Sequence, residues 1–165
     1  MAWGKLGVTT LTSVNDDITV SALANKKFIM VLMHDLPSGS TQWFPRLGAG
    51  SVDTGNNYAT RESVDGGADT TVTNYSSLRW NTSVTTAYTQ PKFGVGYIIN
   101  ISSQEKLTIF HGIAQNTAGA GTAPTREETA SKWVNTSSAL DTVNLNNIES
   151  GDFATDSEVV VLGTD

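Results

Sequence analysis

No stretch of this chain carries an apolar stripe of period 3.6, and that absence constrains the fold more than any other feature. The chain is instead a series of short apolar or alternating runs cut apart by Gly, Asn, Asp and Pro. Residues 6–11 open the series. In residues 17–23, Ile18, Val20 and Ala22 alternate with Thr19, Ser21 and Leu23, the mark of a half-buried strand. Phe28 to Met33 is apolar at six consecutive positions and is soon followed by Pro37-Ser38-Gly39. It is too short for a buried helix and reads as a strand covered on both faces.

The remaining runs follow the same logic. Residues 43–47 form a candidate strand that Pro45 assigns to an edge or a bulge. Residues 56–64 and 70–75 flank the turn Asp65-Gly66-Gly67 and read as a hairpin. Residues 93–101 read as a strand in which Gly94 and Gly96 mark a bulge or a close backbone approach. After the turn at Ser102-Ser103-Gln104-Glu105, residues 106–113 alternate: Leu107, Ile109, His111 and Ile113 face one way, Thr108 and Phe110 the other. Residues 131–135, 140–148 and 158–162 complete the set. Thr125-Arg126-Glu127-Glu128 matches a helix capping box, but no helical stripe follows, so it reads as the start of a strand or a single helical turn.

Composition points the same way. Thr, Ser, Asn and Gly number 23, 16, 12 and 15, or 66 of 165 residues, a bias toward strands and turns. Nine or ten strands, without a linker or an internal repeat, predict one domain over residues 1–165. The expected fold class is all-β, a two-sheet antiparallel β-sandwich of the jelly-roll kind, with an immunoglobulin-like sandwich as runner-up. A net charge of −6 argues against a nucleic-acid partner. No apolar run is long enough for a membrane helix, and Met1-Ala2-Trp3-Gly4-Lys5 does not open a secretory signal. Without cysteine, disulfides, thiolate metal sites and thiol nucleophiles are excluded.

Signals for chemistry are sparse. His111 shares its strand face with three aliphatic residues and reads as a partly buried structural histidine. His34 and Asp35 are sequence neighbours and point to opposite faces of a strand, so they are no dyad. No Gly-x-Ser-x-Gly elbow or His-Glu-x-x-His is present. Paired carboxylates for glycoside hydrolysis would have to come from acids that fall mostly in turns and at strand ends. Asp53-Thr54-Gly55-Asn56-Asn57 and Asp65-Gly66-Gly67-Ala68-Asp69 offer oxygen ligands to calcium, yet lack the EF-hand spacing and are ordinary turn sequences. The Asn-x-Ser sequons at Asn74, Asn81, Asn100 and Asn135 arise readily by chance in such a chain. No catalytic residue, metal site or cofactor is expected, and the reading is non-enzymatic.

The aromatics carry the one positive site expectation. Trp133 reads as core. Trp43 and Trp80 lie in polar surroundings, with Tyr75 and Tyr88 not far along the chain and Arg79 beside Trp80. In strands polar enough to be edges, such residues serve either a subunit contact or a platform for sugar rings. Trp43, Trp80, Arg79, Tyr75 and Tyr88 are therefore the candidate interface or glycan-contact residues.

Several phrases also carry a resemblance. The opening Lys5-Leu6-Gly7-Val8-Thr9-Thr10-Leu11-Thr12-Ser13, then Asp17-Ile18-Thr19-Val20-Ser21, is one, and Asp53-Thr54-Gly55-Asn56-Asn57-Tyr58-Ala59-Thr60-Arg61 another. Asn100-Ile101-Ser102-Ser103-Gln104-Glu105-Lys106, Ser131-Lys132-Trp133-Val134-Asn135-Thr136-Ser137 and the closing run from Gly151 to Gly163 complete them. Together they resemble small β-sandwich virion proteins of tailed bacterial viruses and related marine and archaeal viruses. The resemblance implies a capsid decoration or head-surface subunit without catalytic residues, made in the host cytoplasm and carried on the virion. It implies a homo-oligomer, a trimer as first expectation, bound to a major capsid or other virion protein. The alternative is a fibre-tip module that binds a receptor or a host-surface glycan.

Overall fold

The computed structural model describes residues 2–80 and 89–165. Among these residues run thirteen strands and no helix: β1 (Gly4–Thr10), β2 (Asp17–Val20), β3 (Phe28–Asp35), β4 (Pro37–Ser38), β5 (Arg46–Gly48), β6 (Tyr58–Val64), β7 (Thr70–Tyr75), β8 (Lys92–Ile99), β9 (Lys106–Ala114), β10 (Thr125–Trp133), β11 (Thr142–Asn146), β12 (Asp152–Phe153) and β13 (Glu158–Thr164). Thirteen exceeds the expected nine or ten, in part through the two-residue pieces β4 and β12, which pair with each other and carry no periodicity a sequence could show. The segment beginning at Thr125 is no helical turn. It is the start of β10, which runs unbroken to Trp133.

The strands form an all-β, antiparallel sandwich. An eight-stranded sheet has the order β1-β13-β3-β8-β9-β10-β6-β7, and a three-stranded sheet the order β2-β11-β5. Residues 76–80 lengthen the small layer: Leu78 and Trp80 donate backbone hydrogen bonds to the carbonyls of Pro45 and Trp43 at 2.8 and 3.3 Å. The chain thus alternates between layers, with β1-β13-β3-β8 facing β2, β11, β5 and residues 76–80. That winding is a jelly roll. The hairpins β9-β10 and β6-β7 widen its large sheet beyond β8.

Two kinds of core lie between the layers. Under β3 and β13 it is aliphatic, with Ile29, Val31, Met33, Val159 and Val161 against Ile18, Val20, Leu47, Val143 and Leu145. Under the added hairpins it is aromatic. Trp80 stacks on Phe110 with ring centroids 5.0 Å apart, Trp43 meets Phe110 edge-on at 5.9 Å, and Tyr58 stacks on Trp133 at 6.3 Å. Gly94 and Gly96 are the floor beneath these rings. A Cβ on Gly94 would stand 2.6 Å from Trp43 Cζ3, and one on Gly96 would overlap the Trp80 ring. The two glycines therefore mark close approach rather than a bulge.

At one end the core is charged. Lys92 Nζ lies 2.9 Å from Asp35 Oδ2, with both side chains almost wholly buried, and also donates to the carbonyl and hydroxyl oxygens of Thr41. Trp43 Nε1 donates to the same Asp35 oxygen at 3.2 Å. Burial pulls the Lys92 ammonium below its ordinary pKa, against the opposing pull of Asp35. Glu62 and Glu127 are buried too, within β6 and β10, so the acids are not confined to turns and strand ends. The space beside Trp43, Lys92 and Glu127 is about 10 Å³, room for one water at most.

Candidate interaction face

The tryptophans expected at a contact are core residues. Trp43 is 1% exposed and Trp80 0%, so neither has surface to give to a subunit interface or a sugar ring. The cause is the pairing of residues 43–45 with 78–80: both rings belong to the small layer and point at the large sheet, onto the glycine floor. Arg79 is half-buried, its Nε 3.6 Å from Glu62 Oε2, and serves an internal pair. Tyr75 is half-buried, its ring centroid 6.3 Å from that of Phe44. Tyr88 lies outside the described residues.

The two loops considered for calcium are held by their own chain. Asp53 accepts hydrogen bonds from Trp133 Nε1 at 2.7 Å, from the Gly55 amide and from Asn57 Nδ2. Burial raises its carboxyl, but the Trp133, Gly55 and Asn57 donors together outweigh it and hold the pKa below the usual value. Asp65 accepts from the Arg126 amide, and Asp69 pairs with Arg61 at 3.4 Å. Among the described residues no group of three His, Cys, Asp or Glu side chains is gathered as metal ligands.

The surface that stands out is the outer face of the large sheet. Sequence alternation is expected to turn Leu107, Ile109 and Ile113 toward the core, and the structure turns them to solvent. Lys106, Thr108, Phe110, Gly112 and Ala114 face inward instead. The reason is volume. The rings of Trp43, Trp80 and Phe110 fill the interior, so β9 sets the small residues Thr108, Gly112 and Ala114 beside Phe110 on its inner side, while Lys106 at its start is buried with its ammonium on the Gln104 and Asn135 carbonyls. His111 goes outward with its neighbours, its side chain 61% exposed and its Nδ1 3.7 Å from Glu128, which corrects the reading of a partly buried structural histidine.

Registers across the sheet lay the outer side chains in rows. One row runs Leu162, Met30, Tyr97, Ile109, Ala130, Arg61 from β13 to β6. The next holds Val160, Leu32, Val95, His111 and Glu128, and a third Glu158, His34, Phe93, Ile113 and Arg126. On the other side of the first row lie Phe28, Ile99 and Leu107. From β13 to β9 these rows are mostly apolar, broken by Glu158, His34 and His111, and β10 and β6 then bring Glu128, Arg126 and Arg61. Trp3, Phe93, Tyr97, Leu107, Ile109 and Ile113 are each 39–56% exposed. With full areas of ~150–250 Å² for such large side chains, they present together ~500 Å² of apolar surface, in the upper range of the largest patch on an ordinary monomer.

The patch has relief. Leu107 and Ile109 form a ridge between two hollows. One, of about 400 Å³, is bounded by Trp3, Phe28, Tyr97 and Ile99, and the other, of about 450 Å³, by Arg61, Thr71, Ala130 and Lys132. At the patch border Lys132 is tied to Glu105 at 2.8 Å. Such a face excludes water from a flat apolar partner but offers a sugar few hydrogen-bonding groups.

No protein-family model and no curated protein matches the chain. Among solved structures, the CBM2 module of the evolved Dit of Lactobacillus casei BL23 phage J-1 is similar at 9% identity and a TM-score of 0.26, over all of this chain and 81% of that one. A TM-score that low does not establish a common fold.

Proposed function

We infer that this chain is a non-enzymatic structural subunit of a virus particle, a capsid decoration or head-surface protein that acts through protein–protein contacts. The observation that carries the reading is the outer face of the large sheet. Antiparallel sheets normally present polar residues on their solvent side, whereas here β3, β8 and β9 carry mostly apolar residues on the side that no second layer covers. A contiguous apolar patch near the upper limit for a monomer supports a protein that works through contacts with another surface. The sequence resemblance to small viral β-sandwich proteins supplies the kind of assembly. The cysteine-free, acidic, Thr- and Asn-rich composition suits a domain made in a cytoplasm and released by lysis.

The rival reading, a glycan-binding fibre tip, is weakened by the burial of Trp43 and Trp80. Co-sedimentation of the purified protein with empty capsids from the same virus, beside a glycan array, separates the two. Saturable capsid binding with a blank array is expected. Array binding with no capsid binding would overturn the reading in favour of the fibre tip.

A further inference from the structure

We propose that the outer face of the large sheet is covered by a second copy of this chain, related by a two-fold axis that runs along the seam between β8 and β9. The proposal rests on reading that face as an assembly surface and goes on to name its occupant.

Area is the first argument. A standard interface buries ~800 Å² per partner, and in homodimers ~65% of it is apolar, which asks for ~520 Å² of apolar surface on each side. The exposed side chains of this face supply about that amount. Two sheets packed face to face at the usual ~10 Å bury such a patch whole.

Shape is the second. The Leu107–Ile109 ridge and the hollow beside it lie on neighbouring strands in the same rows, because Tyr97 is the register partner of Ile109. A strand-parallel two-fold between β8 and β9 sets each copy's ridge over the other's hollow, Ile109 above Tyr97 and Leu107 above Ile99. The ridge and its receptor are present once per chain and are used twice, which defines an isologous contact. A three-fold, the first expectation from sequence, cannot place one flat face upon itself.

Charge is the third. The Arg126 amide donates to Asp65, and its guanidinium makes no ion pair or hydrogen bond with a described residue. In its row, Glu158 lies at the opposite end of the sheet, its carboxylate accepting from the Thr10 hydroxyl at 2.5 Å and forming no ion pair among the described residues. The same two-fold sets Arg126 over the His34 end of β3, one strand from Glu158, and does so on both sides of the axis. The apolar centre is thereby closed by two opposite-charge contacts at its rim.

Analytical ultracentrifugation across a concentration series tests the proposal, with far-UV circular dichroism to verify the fold. The full chain is expected to sediment as a dimer. Ile109→Glu, at an outward position, is expected to leave the β-sandwich spectrum intact and to weaken dimerisation by at least ~30-fold, the effect of a hot-spot residue. Arg126→Glu is expected to weaken it less, and Arg126→Glu with Glu158→Arg to recover most of the loss. Because the chain has no cysteine, an equal mixture of Tyr97→Cys and Ile109→Cys single variants should cross-link as the mixed pair in preference to either like pair. A monomer or a trimer at ~100 µM, above the range of specific interfaces, would overturn the proposal, as would a dimer unchanged by Ile109→Glu. A monomer that still binds capsids would refute the second-copy occupant and leave the virion reading standing. A dimer that binds no capsid would do the reverse.

Discussion

Gly96→Ala is the sharpest test of the aromatic core. In most strands this change removes the entropic penalty of glycine and gains about 0.5–1 kcal/mol. Here the added Cβ would overlap the six-membered ring of Trp80, with Cζ3 at 2.7 Å and Cζ2 at 3.0 Å, where ordinary contact begins near 3.4 Å. The ring cannot simply retreat, because it is fully buried and stacked at 5.0 Å on Phe110. Overpacking of this kind costs typically about 1–3 kcal/mol. The burial of Trp80 places the cost at the upper end, for a net loss of about 1–2 kcal/mol. For a chain of this length that is a fall in Tm of about 2–8 °C. Scanning calorimetry at one fixed protein concentration measures it, since dimerisation would make the midpoint concentration-dependent. Gly121→Ala is the control, because a Cβ there meets nothing within 4 Å, and it should leave Tm unchanged or slightly raised. Combining Gly96→Ala with Trp80→Phe should cost less than the sum of the two, because the smaller ring vacates the space the methyl needs. A Gly96→Ala protein as stable as the parent, or more so, would refute the account of the glycine floor.

The remaining predictions concern the polar interior. Lys92→Met should destabilise by about 3–5 kcal/mol, because it leaves the Asp35 carboxylate buried without its cation; the double change with Asp35→Leu should recover much of that in urea unfolding. Tyr58→Phe should cost about 1–3 kcal/mol, since the hydroxyl bonds to the Leu47 and Asp53 carbonyls and accepts from the Leu47 amide. Burial, first of all, holds that phenol above its usual range, so ultraviolet titration should show one tyrosine still protonated well past pH ~10. Asp53 has a folded pKa below its unfolded value of ~3.9, so its contribution is present above that pH and is lost as pH falls through the folded value. Asp53→Asn should therefore flatten the acid limb of a Tm-versus-pH curve, by no more than ~1 kcal/mol because the carboxylate is partly solvated.

Much of the architecture is legible in local pattern. The hairpin at Asp65-Gly66-Gly67 pairs β6 with β7, and the turn after Ile101 joins β8 to β9. Both follow from turn residues between strand-forming runs. Residues 43–47 narrow to β5 at Arg46–Gly48, because the preceding residues run irregularly with Pro45 among them. The stretch from Thr125 to Ala130 is harder. Its inward residues are Thr125, Glu127 and Thr129, so it shows no hydrophobic alternation although it is the middle of a sheet. It is held as strand by ladders on both sides, with its hairpin partner β9 and with β6, and β6 is distant in sequence.

The sequence by itself determined the class: Thr- and Asn-rich short runs without a helical period leave an antiparallel sandwich as the way to bury them. The apolar run Phe28 to Met33 predicts a strand covered on both faces, since residues at successive strand positions point to opposite sides; within the chain only the side of Ile29, Val31 and Met33 is fully buried, and Phe28, Met30 and Leu32 are half-buried. Only the tertiary structure decided which side each face meets. Trp43 and Trp80 stand in polar surroundings along the chain, yet the pairing of residues 43–45 with 78–80 lays both rings on Gly94 and Gly96, about fifty and sixteen residues away respectively. Once those rings fill the interior, β9 sets Thr108, Gly112 and Ala114 inward beside Phe110 and turns Leu107, Ile109 and Ile113 out. Alternation fixes the period of a strand but not its phase, because phase depends on the volume that distant residues have already taken.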